Sequence, residues 1–377
     1  MRRVIISTIG TSLLTNQIKR SDDTEKDWYN QLRDYANFTL ENTSKEVVEI
    51  IEKLKIRAIE KLKYTSIPQI RLASAELNGI YGLYKEQLQE GQQDIHWLIS
   101  TDTAQGKATA EIVKEFLREK GLVNTSIYTP DKLSTATTEA FSEGIDNLLD
   151  WLQKEVIPLK DNYRICFNLV GSFKSLQGYL NTIGMFHAHE IIYIFEGKES
   201  NLIKIPRLPI KVDESQIEPY LVQFALMDAG AGLSFSEVAN ISEALIGEYN
   251  SKKVLSTWGQ LIWNQCKTNL LSQNLLIFPK LHYEENFRAD YNRIRDKKEK
   301  VQLQEDLAKV SNLLSQSNGN TSVLKEHPGF RYDKYTNRND EVAHFRVSQG
   351  LRISCISANG ILILRRYGKE PEVNKNP

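Results

Sequence analysis

An α/β protein built on a doubly wound parallel sheet, continued by a small helical segment and an α+β module, is the fold class that three observations predict. Residues 2–9, Arg-Arg-Val-Ile-Ile-Ser-Thr-Ile, form a continuous run of β-branched character that Gly10 closes, the pattern of a strand buried on both faces. Strand-like and helix-periodic stretches then alternate up to about residue 195, as βαβ units require. Beyond residue 272 the order changes to two helical stretches followed by strand-like runs, with Asn359-Gly360 placed to turn a hairpin. A chain of 377 residues is too long for one ordinary core, so two or three domains are expected, divided as 1–205, 206–272 and 273–377.

The elements follow in order. Residues 25–64 are highly charged but carry Val47, Ile50, Ile51, Leu54 and Ile59 at helical spacing, which suggests a helical insertion or hairpin. A helix is expected over 68–88, a strand over 96–100, and a helix containing Ile112, Phe116 and Leu117. Then come a short strand at 126–128, a helix over 136–155, a strand over 164–170, a helix over 173–186 and a last strand at 191–195. Pro206 and Pro209 mark a boundary, and 214–272 is expected to give three helices, one starting at Ser234-Phe235-Ser236-Glu237. The final module has helices at 283–295 and 299–315 and strands at 341–347, 351–357 and 361–366.

Composition narrows the classes of function. Lys plus Arg and Asp plus Glu both number 48, so the chain does not coat polyanions over its whole surface, and any nucleic-acid contact is local. Cys166, Cys266 and Cys355 lie far apart in apolar settings without a CxxC pair, which suggests reduced core thiols. The short apolar run at 4–9 leads straight into a Gly turn, unlike a signal peptide, and no stretch is long enough to span a bilayer. A soluble cytoplasmic protein with no membrane contact is expected.

In a doubly wound sheet, ligands bind where strand ends present loops and helix N-termini. Three such ends here carry small or hydroxyl residues: Gly10-Thr11-Ser12, Ser100-Thr101-Asp102-Thr103, and Gly171-Ser172-Phe173-Lys174-Ser175. Glycine lets a ligand approach the backbone, hydroxyls donate to phosphate oxygens, and Lys174 adds a full positive charge. Gln105-Gly106-Lys107-Ala108 is no Walker loop, lacking the earlier Gly and the hydroxyl after Lys. Gly230-Ala231-Gly232 follows a helix, not a strand, so a dinucleotide fingerprint is absent as well.

Ile6-Ser7-Thr8-Ile9-Gly10-Thr11-Ser12-Leu13-Leu14 together with Asn168-Leu169-Val170-Gly171-Ser172-Phe173-Lys174-Ser175-Leu176 resembles the CARF domains of type III CRISPR systems, over about residues 1–205. Ser172 stands where relatives often have Gly. The resemblance implies a Rossmann-like domain that binds cyclic oligoadenylate, with cyclic tetra-adenylate as the expected ring, across a homodimer. It also implies that Gly10, Thr11, Ser12, Ser100, Thr101, Thr103, Gly171, Ser172, Phe173, Lys174 and Ser175 line the ligand. Some relatives are ring nucleases that cut the ligand without metal, and in that role Ser12 and Lys174 would orient the attacking 2′-OH and stabilise the transition state.

Residues 331–369 carry eight Lys or Arg against three acids, a plausible surface for an RNA backbone and equally the pattern of a solvated sheet face. Tyr283-Glu284-Glu285-Asn286-Phe287-Arg288-Ala289-Asp290, Gly329-Phe330-Arg331-Tyr332, His344-Phe345-Arg346-Val347, Gly350-Leu351-Arg352-Ile353 and the last strand at 361–366 resemble RelE-type mRNA interferase toxins over about 275–377. The resemblance implies metal-independent RNA cleavage, on mRNA at the ribosome, with Arg352, Arg346 and Arg365 stabilising phosphate charge. Asn374 stands where the family commonly has Tyr, so His344 or Tyr367 is the expected substitute base. No set of metal ligands is evident, and no cofactor beyond the activator is expected.

Two alternatives stay open. Arg338 and His344 form R-x5-H, the spacing of the HEPN ribonucleases also fused to CARF domains, although there the motif lies in an all-helical domain. The chain could also act as a stand-alone ring nuclease. Residues 206–272 resemble the winged-helix segments that follow many CARF domains; lacking a basic recognition helix, they suggest a dimerising spacer.

Overall fold

The computed structural model describes residues 1–19, 21–171, 173–194, 201–335 and 341–377, and divides into two compact units, Met1–Ile210 and Lys211–Pro377. The N-terminal unit is the expected α/β layer structure. Its strands β1 (Arg3–Thr8), β2 (Ile95–Ile99), β3 (Thr125–Tyr128), β4 (Arg164–Asn168), β5 (Glu190–Ile194) and β6 (Leu202–Pro206) lie in the order β3-β2-β1-β4-β5-β6. The first five are parallel. Central β1 is wholly apolar along Val4, Ile5 and Ile6, each fully buried, because helices cover both faces of the sheet.

One face packs against the helices of the long β1–β2 connection and the helix after β2. That connection holds α1 (Ser12–Thr15), α2 (Trp28–Asp34), α3 (Lys45–Tyr64), α4 (Ile67–Ala73) and α5 (Ala75–Leu83), and α6 (Ala104–Glu119) follows β2. Ile5, Leu98, Cys166 and Ile192 share a core with Val47, Ile50, Ile51, Leu54 and Leu62 of α3 and Ile112, Phe116 and Leu117 of α6. The charged stretch at 25–64 is therefore part of the core and not a detached insertion; its charges lie on the outer side of α3, where Ile59 is also exposed. Helices α7 (Thr138–Trp151) and α8 (Lys174–His187) follow β3 and β4, with Trp151 of α7 meeting Trp97 of β2 edge-on at 5.1 Å.

Two features depart from expectation. The helix expected over 68–88 is two helices, because Ser74 leaves helical geometry and its hydroxyl caps α5 through Leu77 N. Strand β6 was not foreseen, and it pairs antiparallel with β5. The few residues between β5 and β6 cannot hold the crossover a parallel strand needs, so only the antiparallel direction is open.

In the C-terminal unit, α9 (Leu221–Asp228) and α10 (Phe235–Val238) precede a hairpin of β7 (Ile246–Tyr249) and β8 (Lys252–Leu255), then α11 (Thr257–Leu271). The hairpin replaces part of the three helices expected there. Its turn residues Asn250 and Ser251 both have positive φ, 48° and 60°, the geometry that matches the twist of paired strands. Next come β9 (Leu281–Tyr283), α12 (Glu285–Arg293), α13 (Lys297–Gln316), α14 (Ser322–Glu326), β10 (Asp333–Lys334), β11 (Val342–Arg346), β12 (Leu351–Ala358), β13 (Ile361–Lys369) and α15 (Glu370–Lys375). The sheet order is β10-β11-β12-β13-β9, with Asn359-Gly360 turning β12 into β13 at φ 52° and 72°. A single core runs through the unit: Phe224 of α9 and Trp263 of α11 pack in the same cluster as Phe287, Leu307, Phe345 and Ile353. The expected limit at 272/273 thus falls within one packed body.

Candidate functional site

Strand order creates the N-terminal candidate site. The chain leaves β1 toward β2 and β3 on one side and later returns to place β4 on the other, so the loops after β1 and β4 diverge at a topological switch point. The two loops are tied together at their base. Thr8 Oγ1 donates to Gly171 O, and Gly10 N donates to Glu76 Oε1 at 2.6 Å.

Glu76, fully buried on α5, also accepts from Ser74 Oγ at 2.7 Å, and a Cβ at Gly171 would lie 2.2 Å from its Oε1. Only glycine leaves room for that carboxylate between the loops. Burial raises the Glu76 pKa above the ordinary range, against the lowering effect of its hydrogen bonds. Beside it, the fully buried Asn168 donates through Nδ2 to Ser7 Oγ at 3.1 Å and to Glu76 O at 3.0 Å. A carboxylate and an amide thus support the loops from below.

Above this base, Thr11, Ser12 and Phe173 are half-buried, and Lys174 and Ser175 are exposed at the start of α8. Among the described residues the hydroxyls of Thr11, Ser12 and Ser175 and the ammonium of Lys174 have no hydrogen-bond or ion-pair partner. The Ser175 hydroxyl and the Lys174 cation at the N-terminus of a 14-residue helix, with the Thr11 and Ser12 hydroxyls of the neighbouring loop, are groups that can hold an anion. Ser172 lies outside the described residues.

The loop after β2 is differently disposed. Ser100, Thr101 and Thr103 are buried, and their hydroxyls serve the protein itself. Ser100 Oγ donates to Thr101 O at 2.9 Å, Thr101 Oγ1 and Thr103 Oγ1 lie 2.9 Å apart, and Thr103 Oγ1 caps α6 by accepting from Gly106 N at 3.1 Å. Asp102 pairs with Lys107 at 2.7 Å. Gly10 likewise has its amide engaged by Glu76. Among the described residues the expected lining therefore divides into five open to a ligand, Thr11, Ser12, Phe173, Lys174 and Ser175, and a framework that shapes their loops.

In the C-terminal unit, strand register puts His344, Arg346, Arg352, Ser354 and Arg366 on one face of the sheet, opposite the core face of Phe345, Ile353 and Cys355. Helix α15 packs over that polar face. Arg352 is only 2% exposed; it donates to Ser348 O and Leu351 O at 3.1 Å each and to Glu370 Oε2 of α15 at 2.9 Å. As a group for an incoming phosphate, the expected central arginine is instead spent on closing the sheet, because α15 supplies its counter-charge from within the fold. His344 is half-buried beside the ring of Tyr335, and burial, reinforced by the charge of Arg352, lowers its pKa. Arg365 stands where the β12–β13 register shifts and faces Glu284 at 3.6 Å, apart from the Arg346–Arg352 pair. Arg338 lies outside the described residues, and His344 sits on β11 of a five-stranded sheet, not in the all-helical domain of the HEPN alternative.

Glu76 and Asn168 were missed from the sequence, yet each left a trace. Asn168 closes the apolar run of Ile165, Cys166 and Phe167 in β4, and Glu76 falls in phase with Ile80 and Leu83 on the buried side of α5. A charge in such a position calls for a buried partner.

Fold and loops together define a doubly wound α/β protein with an anion-compatible crevice at its switch point. Residues 71–208 are similar to a CRISPR-associated protein family, Cas_APE2256, whose model they match. The match runs from within α4 past the end of β6, and so includes the Gly171 loop and Lys174, whereas the Gly10 loop precedes it. Among the described residues no helix is long and apolar enough to cross a membrane.

Proposed function

We propose that the protein is an ancillary effector of type III CRISPR defence, in which cyclic oligoadenylate bound by the N-terminal unit switches on RNA cleavage by the C-terminal unit. The observation that carries this reading is the pairing of the Gly10 and Gly171 loops at the β1/β4 switch point, with Lys174 and three hydroxyls unpartnered among the described residues. A cyclic oligonucleotide presents several phosphates around a ring. One loop pair can hold one side of such a ring, so a homodimer supplies the other side. Ligand then shifts the protein only as far as it prefers the active dimer over the resting one. The C-terminal unit cuts mRNA by attack of a ribose 2′-OH, on free RNA or on the ribosome.

Titration calorimetry with cyclic tetra-adenylate and cyclic hexa-adenylate tests the sensor half. Submicromolar binding of one ring per dimer is expected, with Lys174→Ala weakening it at least about tenfold through loss of a charged phosphate contact. No heat with either ring sinks the sensor reading. Chromatography of the same mixtures asks whether the ring is opened, as the free Ser12 hydroxyl beside this loop would allow; an intact ring limits the site to sensing.

A further inference from the structure

We propose that RNA is cut in a cleft of about 510 Å³ lined by α12, α13, β13 and α15, with Glu299 and Tyr367 handling the protons. This rests on the RNA-cutting reading above and moves its chemistry away from the sheet face expected from the sequence.

The cleft is built on two buried groups. Asp290 of α12 takes two hydrogen bonds from Arg366, at 2.7 and 3.2 Å, one from Tyr367 N at 3.1 Å, and one from Arg293 at 3.2 Å. These bonds clamp the end of β13 against α12 and fix the residue that follows Arg366. Tyr367, 5% exposed, meets Phe287 edge-on at 6.4 Å, and its hydroxyl donates to Glu299 Oε1 at 2.9 Å. Burial, with the Glu299 carboxylate beside it, raises the Tyr367 pKa and keeps the phenol protonated at neutral pH.

Arg295 and Lys369 line the same cleft, and among the described residues neither forms an ion pair. Free cations beside a carboxylate–phenol pair are the parts a metal-independent transesterification uses. The polar sheet face offers less, since Arg352 is sealed beneath α15.

The step balances on these groups. Glu299 takes the proton of a ribose 2′-OH, the O2′–P bond forms, and the P–O5′ bond breaks to leave a 2′,3′-cyclic phosphate. Tyr367 gives its proton to the departing 5′ oxygen and recovers one from Glu299, so the pair ends as it began. Arg295 and Lys369 offset the negative charge that builds on phosphorus.

Cleavage of ribosome-bound mRNA and of free RNA by the full chain, with cyclic tetra- or hexa-adenylate present, tests the assignment. Glu299→Gln and Tyr367→Phe are expected each to lower the cleavage rate at least about 100-fold, the scale of a lost acid or base. Melting temperature and cyclic-adenylate affinity should stay as in the parent. Tyr367→Phe keeps the ring that packs on Phe287, so its result stands even if the Glu299 variant fails to fold. Parent-level cutting by both variants overturns the assignment, as does Arg346→Ala abolishing cutting while the cleft variants retain it. A parent that cuts neither RNA with any activator overturns the RNA-cutting reading and this site with it.

Discussion

His96 is fully buried on β2, with the Tyr84 hydroxyl 3.1 Å from its Nε2 and that hydroxyl donating to Asp94 at 2.8 Å. Burial lowers its pKa from 6.5 to about 4, despite the opposing charge of Asp94, and His187 on α8 is lowered to about 4 as well, chiefly by burial. Between pH 6.5 and 4 the unfolded chain therefore binds protons that the folded chain refuses. Stability falls as pH drops through this window, by up to about 1.4 kcal/mol per pH unit for each histidine. Melting curves at pH 7 and pH 5 should show the loss, and His96→Gln should flatten it; equal melting of the parent at the two pH values would refute the neutral buried histidines. Glu25 acts lower on the scale. Its two bonds from Arg57, at 2.9 and 2.6 Å, hold its carboxyl below 4.5, so its contribution is lost only as pH falls further.

At the scale of elements, the sheet of the C-terminal unit shows how one arginine can be structural where its sequence context points to chemistry. Arg352 faces Gly368 across the β12–β13 ladder, and its guanidinium turns toward Glu370 of α15. Three acceptors from the β11–β12 turn and from α15 converge on it. Arg352→Ala is expected to cost ~1–3 kcal/mol in urea denaturation, because it removes a buried guanidinium that ties the Ser348 and Leu351 carbonyls to the partly exposed Glu370 carboxylate of α15. Arg352→Lys should restore little, since an ammonium cannot reproduce the planar fork. A stable Arg352→Ala protein that no longer cuts RNA would instead return this residue to the chemistry.

For the whole molecule, the core decides what folds alone. The segment 211–272 contributes Phe224, Trp263, Cys266, Leu270 and Leu271 to the cluster that also holds Phe287, Leu303 and Leu307. Gln304 of α13 donates to Leu271 O at 2.6 Å, tying the same two parts through a buried carbonyl. A fragment of 211–377 is expected to fold cooperatively, whereas 273–377 alone, stripped of those apolar partners, is expected to lack a cooperative thermal transition. Circular dichroism melts of the two fragments check this, and a sharp transition in the shorter one would contradict it.

The sequence by itself determined the parallel sheet, its position at the start of the chain, and the two loops that meet at its switch point. Each depends on local signals: β-branched runs, helical periodicity and glycine at strand ends. It also carried the Asn359-Gly360 hairpin, because turn chemistry is written in adjacent residues. The antiparallel β6 and the hairpin at 246–255 needed the structure, since half-exposed edge strands show weak alternation that pairing alone makes definite. Which polar groups face a ligand was likewise decided only in three dimensions. Ser100, Thr101 and Thr103 look like phosphate donors in the sequence, but tertiary packing buries them as framework, while it gathers Glu299, Asp290 and Tyr367, separated by up to 77 residues, around one cleft. Hydrogen-bond partners at such separations leave no periodic trace, so packing chose them.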